Sequence, residues 1–190
     1  ERQMKMAFER ASSQSGDMNA DSVCGLGDGG RARGEELFYC RPDKRAYDEG
    51  RILAVGHWVA VQRVQGDDVA LAPEVQVGLE EVDVVWLRQD PPFDMSYITS
   101  THLLDRLKGK TLVVNDPIWE RNYPEKLLVL DFPDLTPPPM IARDLETIES
   151  FKARHQEVIL KPLYGHGGPG WFRLDANDRH LSSLPELFSV

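Results

Sequence analysis

Apolar and β-branched side chains gather in short runs along this chain, and their spacing predicts a mixture of strands and helices. Residues 4–8 are a short, mostly apolar run and a candidate first strand. Residues 36–39 read as a strand. Residues 47–54 follow, with Glu49-Gly50 placed as a hairpin turn. Residues 55–81 mix valines, glycines and acids and give no firm order. Val82-Asp83-Val84-Val85-Trp86-Leu87 is dense in β-branched and aromatic side chains, the pattern of a buried strand. Pro91 and Pro92 end it, because proline cannot donate to a ladder.

Residues 96–107 then change period. Ile98, Thr101 and Leu104, with Leu103 and Leu107, line one face of a helix, and Gly109 stops it. Residues 111–114 return to strand. Strand, helix and strand in that order predict a parallel α/β unit, which needs a crossover of this length. Asn115-Asp116-Pro117 reads as a turn, residues 125–130 as a short helix, and Thr136-Pro137-Pro138-Pro139 as a stiff linker. Asp144 is placed to cap a helix running through Phe151 to His155. Residues 157–161 read as a strand, followed by a glycine-rich loop and a further strand at 171–174.

Residues 11–34 resist this scheme. Gly25, Gly27, Gly29 and Gly30 fall within six positions, and each glycine costs a helix interior roughly 1 kcal/mol against alanine. A loop is expected. Gly25, Gly27 and Gly30 match a dinucleotide-binding spacing, but no strong apolar strand precedes them, so the match carries little weight.

Composition narrows the function classes. The 190 residues carry 31 acidic and 22 basic side chains, a net charge of −9. Such a chain has no general attraction for nucleic acid or an anionic membrane surface. No run of 18 apolar residues is present, and the first residues lack the apolar stretch of a secretory signal, so a cytoplasmic location is expected. Cys24 and Cys40 are too few for a disulfide framework and too far apart for a CxxC site. No histidine pair has metal-ligand spacing, no metal ligand is nominated, and no catalytic base stands out among the carboxylates.

Three places remain for chemistry. Lys161 precedes Gly165-His166-Gly167-Gly168-Pro169-Gly170. Glycines leave backbone N–H groups free to face an anion, and lysine adds a compact charge for phosphate oxygens. A flexible turn with a surface lysine is the competing reading. Lys126 is the second place, against a solvated helix lysine. The segment Arg88-Gln89-Asp90-Pro91-Pro92-Phe93-Asp94 is the third. It follows an apolar strand, where open α/β sheets place ligands, and a proline-stiffened loop is its alternative.

Taken together, residues 88–94, Asn115-Asp116-Pro117, residues 122–127, residues 132–137 and Ile159-Leu160-Lys161-Pro162-Leu163 with the glycine loop resemble bacterial glutathione synthetases of the ATP-grasp superfamily. The resemblance is dense over residues 82–188 and fainter over 31–54. It implies an N-terminal parallel α/β domain on the substrate side, residues 1–121, and a partial central ATP-grasp domain, residues 122–190. It also implies ATP-dependent ligation of γ-L-glutamyl-L-cysteine to glycine through an acyl phosphate, with Mg²⁺ on the nucleotide, small-molecule substrates and a homo-oligomer. Lys126 and Lys161 would reach the ATP phosphates, with Gly165, Gly167 and Gly168 in the loop over them. Arg88, Asp90 and Asp94 would lie near the peptide substrate.

The departures are specific. Relatives open with a Met-Asp-Pro stretch where this chain has Phe8-Glu9-Arg10-Ala11-Ser12, and their next helix is rich in alanine and glutamate rather than glycine. Relatives are also longer. The metal ligands and adenine contacts are expected in a missing C-terminal part, the strand near Trp171 is expected to lack sheet partners, and the isolated chain is expected to be inactive. The competing readings are a non-catalytic remnant that binds nucleotide weakly or associates with another chain, and an unrelated carboxylate–amine ligase sharing this front half.

Overall fold

The computed structural model describes residues 2–9, 27, 29–30, 32–61, 69–164 and 170–175. The chain divides into two compact units. The first is Glu1–Asp90 with Asp94–Asn122, and the second is Pro91–Phe93 with Tyr123–Val190.

Among the described residues, the first unit is built on one seven-stranded sheet. Its strands are β1 (Lys5–Glu9), β2 (Glu36–Asp48), β3 (Arg51–Val61), β4 (Val69–Leu71), β5 (Val75–Gly78), β6 (Val84–Leu87) and β7 (Leu112–Val114). The order is β4-β3-β2-β1-β6-β7, with β5 also paired to β3. Strands β2, β1, β6 and β7 run parallel, while β3 lies antiparallel to β2, β4 and β5. Helix α1 (Met95–Leu104) carries the chain from β6 to the parallel β7, the unit expected from the pattern.

The side chains of β1 and β6 alternate between two cores. Ala7, Val85 and Leu87 face a core with Phe38, Leu104 and Leu107, while Met6, Phe8, Val84 and Trp86 face a second one with Leu37. On α1, Tyr97, Ser100, Thr101 and Leu104 are the buried positions, and Gly109 at φ 81° closes the segment after a final 3₁₀ turn.

The β2–β3 hairpin turns at Glu49-Gly50, as expected. Both residues have positive φ, 44° and 86°, the geometry of a two-residue turn that matches strand twist. The strands it joins are longer than the pattern showed. Strand β2 runs on through Pro42, because an irregularity between Cys40 and Arg45 absorbs the missing N–H.

The loop expected over residues 11–34 needs correction where it is described. Gly27, Gly29, Gly30 and Ala32 are helical. Gly30 serves packing here. A Cβ on Gly30 would lie 3.0 Å from Leu37 Cδ2 and 3.7 Å from Met6 Cε, so the missing side chain lets the backbone approach the second core closely. Gly25 and Cys24 lie outside the described residues. Cys40 is a buried free thiol.

The second unit holds α3 (Glu125–Leu128), α4 (Leu145–His155), β8 (Val158–Leu160) and β9 (Phe172–Leu174), after α2 (Pro117–Asn122) closes the first. Pro117, expected in a turn, opens α2, where its absent N–H costs nothing. Asp144 caps α4 as expected, its Oδ1 accepting from Thr147 N at 2.8 Å. Strands β8 and β9 form an antiparallel two-stranded sheet. One face packs Val158, Leu160, Phe172 and Leu174 against Leu145 and Ile148, while Ile159 and Trp171 stay exposed.

Candidate functional site

The parallel strands β1, β6 and β7 end at Glu9, Leu87 and Val114, the edge of the first unit where an open α/β sheet receives ligands. Arg88 and Asp90 leave this edge and are exposed. Asp94 is also exposed, but its carboxylate has a structural task. Oδ1 accepts from Tyr97 N at 2.9 Å and caps α1.

Groups that sequence reasoning did not nominate complete this edge. Tyr97 OH donates to Glu120 Oε1 at 2.8 Å, and Asn115 Nδ2 donates to Glu120 Oε2 at 3.0 Å. Burial pushes the Tyr97 phenol well above its ordinary value, and the Glu120 carboxylate adds to the push. Arg121 pairs with Asp105 at 2.6 Å, tying α2 to the turn after α1. Below the edge, the buried Glu9 carboxylate pairs with the Arg45 guanidinium. Burial raises the Glu9 carboxyl above the usual carboxylate range, and Arg45 pulls against that rise. Burial, then the Glu9 charge, also raises the Cys40 thiol, so it stays a thiol rather than a nucleophilic thiolate. Glu9 did carry a signal in the sequence: it is the charge that closes the apolar run of β1.

In the second unit, β8 and β9 are joined across residues 161–171, so Lys161 leaves one strand where Trp171 enters the other. The Lys161 ammonium lies 4.1 Å from the centre of the Trp171 ring. Lys126 reaches the same neck from α3, donating to the Pro162 carbonyl at 2.6 Å. Phe93 and Tyr164 stack 5.9 Å apart, their planes 16° off parallel. Gly170, at φ 77°, closes the neck where a Cβ would lie 3.0 Å from Pro162 Cγ. The two lysines nominated from sequence therefore meet at one loop, and both belong to the second unit. Arg88, Asp90 and Asp94 belong to the first. Gly165, Gly167 and Gly168 lie outside the described residues, as does His166.

Two family models match the chain. The prokaryotic glutathione synthetase N-terminal domain matches residues 4–121, and the ATP-grasp domain of the same family matches residues 125–190. The chain belongs to the prokaryotic glutathione synthetase family. A glutathione synthetase from Brucella melitensis is 44% identical over 185 residues, which cover 97% of this chain and 59% of that protein. One from Mesorhizobium japonicum is 47% identical over 82% of this chain and 50% of its own length. One from Vibrio parahaemolyticus is 37% identical over 83% and 50%. The chain thus spans about half the length of the curated relatives it matches.

Solved structures place the fold among ATP-grasp ligases. D-alanyl-alanine synthetase A from Vibrio cholerae aligns with a TM-score of 0.58 at 8% identity, over 98% of this chain and 56% of that one. The ATP-grasp ligase PsnB, solved with a minimal precursor, Mg and ADP, aligns with a TM-score of 0.53 at 17% identity, over 97% and 62%. No helix among the described residues is long and apolar enough to cross a membrane.

Proposed function

We propose that this chain supplies the peptide-side domain and the phosphate-binding part of an ATP-dependent ligase that joins γ-L-glutamyl-L-cysteine to glycine. The observation that carries the reading is the meeting of Lys126 and Lys161 at the neck of one glycine loop, in a segment that matches the family's ATP-grasp domain. Two ammonium groups at one loop suit the clustered negative charge of a triphosphate. A chain of net charge −9 has no other general reason to attract one.

On this reading residues 1–121 serve the peptide and residues 122–190 the nucleotide. A free carboxylate oxygen of the dipeptide attacks the γ-phosphorus of ATP. ADP leaves, and an acyl phosphate forms. The glycine amine then attacks the acyl carbon, inorganic phosphate departs, and the amine loses a proton. Lys126 and Lys161 hold phosphate oxygens through the first transfer, and the loop keeps water from the acyl phosphate. Arg88 and Asp90 face the peptide. Asp94 acts by holding the first turn of α1 beneath them.

The nucleotide in this family carries Mg²⁺. Among the described residues no group of three or more His, Cys, Asp or Glu side chains is placed to hold a metal ion. These residues do not provide a metal site, and no step is assigned to the ion. Binding and turnover are proposed separately: the chain binds nucleotide without making glutathione. Incubation with ATP, Mg²⁺, γ-glutamylcysteine and glycine, followed by thiol chromatography, is expected to show no glutathione. Glutathione formation that Lys161→Ala abolishes would overturn the separation while supporting the ligase assignment. The cytoplasm and a homo-oligomeric assembly complete the proposal by family.

A further inference from the structure

Arg45 is a charged residue set on the core face of a strand. The irregularity in β2 puts it there. Cys40 pairs with Gly56 and Arg45 with Ala54, so five steps along β2 match two along β3. Residues two apart on β3 share a face, so Arg45 points to the same side as Cys40. Glu9 is the register partner of Cys40 on β1, which brings the carboxylate to that side too. The Arg45 and Glu9 side chains are 1% and 0% exposed.

Burying such a pair gives little stability over apolar residues of similar volume. What this pair does hold is a direction. Arg45 Nη1 donates to Ser100 Oγ at 2.7 Å and to the Ser100 carbonyl at 3.1 Å. Ser100 Oγ donates in turn to Gln89 Oε1 at 2.9 Å. A hydroxyl has one proton. Having accepted from the guanidinium, Ser100 spends that proton on Gln89, and the chain of bonds runs one way only. Gln89 stands between Arg88 and Asp90, the two exposed charges at the ligand edge of the sheet.

We infer that Arg45 is a positioning residue, acting through Ser100 to fix the Arg88-Gln89-Asp90 segment. The substrate side of the inference rests on the proposed function; the positioning itself does not. Ser100→Ala removes the relay and leaves the Glu9–Arg45 pair in place. Ser100→Thr keeps the hydroxyl, and Gln89→Met removes the amide that accepts from it. Thr99→Ala is the control, since Thr99 Oγ1 bonds back to Met95 O on the same helix.

Amide hydrogen exchange on the full chain, resolved to residues 88–90 and to β6, is the deciding experiment. Ser100→Ala and Gln89→Met are expected to speed exchange at residues 88–90 about fivefold. Exchange in β6 should not change, Ser100→Thr should restore protection, and Thr99→Ala should match the parent. Unchanged exchange at residues 88–90 in both Ser100→Ala and Gln89→Met would overturn the inference, as would failure of Ser100→Thr to restore it. Calorimetry with γ-glutamylcysteine tests the other layer. If the segment loosens and dipeptide affinity stays the same, the substrate-side reading of Arg88 and Asp90 falls and the positioning stands.

Discussion

Asp94 separates a structural carboxylate from a recognising one. Its Oδ1 accepts from Tyr97 N, so Asp94→Ala should cost about 1 kcal/mol through the lost cap. Asp94→Asn keeps the acceptor and should melt close to the parent protein in a calorimetric scan. Any loss of peptide affinity in Asp94→Asn then reports the charge and not the fold. Glu9 and Arg45 call for a different design. Glu9→Gln leaves a buried guanidinium without its countercharge, and a loss of roughly 3–5 kcal/mol in urea unfolding is expected. Arg45→Met should cost a similar amount. The double variant should cost clearly less than the two single losses together, because the remaining charge is gone. Additive losses would mean that the pair is not coupled.

The elements show how much the pattern could reveal. The parallel unit of β6, α1 and β7 was legible, since two β-branched runs flank a segment of helical composition that Gly109 closes. The Glu49-Gly50 turn and the Asp144 cap were legible from local chemistry. Strand β2 was legible only at its start, because Pro42 and the irregularity after Cys40 break the alternation that identifies a strand. The helical glycines at 27, 29 and 30 were not, and the use of Gly30 lies partly in its contact with Met6, which is remote in sequence. Site residues followed the same rule. Lys161 stood out beside its glycine run and Lys126 by the family resemblance, while Arg45, Ser100 and Glu120 are assembled by the sheet and carry no local signal.

Two element-scale predictions follow from this chemistry. Glu49 adopts φ 44°, which asparagine tolerates better, so Glu49→Asn should raise the melting temperature of the hairpin unit in a thermal scan. Hydrogen bonds to Thr147 hold the Asp144 carboxyl below its ordinary value of 3.8. A depressed folded value contributes stability above the unfolded one and loses it as pH falls. The melting difference between parent and Asp144→Ala should therefore be present at pH 6 and fade below about pH 3.8.

At the scale of the whole molecule, an acidic chain places two lysines at one glycine loop in the second unit, and places its exposed arginine and aspartate at the sheet edge of the first. The proposed nucleotide and peptide assignments rest on that partition. The central claim is that Lys126 and Lys161 form a phosphate site within these 190 residues. Titration calorimetry of the chain with ATP and Mg²⁺ tests it most directly, with Lys161→Ala and Lys126→Ala beside the parent. Saturable binding that either substitution weakens at least tenfold, with both variants folded by circular dichroism, is the predicted result. A folded parent chain that binds no ATP, or binds it equally well without either lysine, would contradict the account.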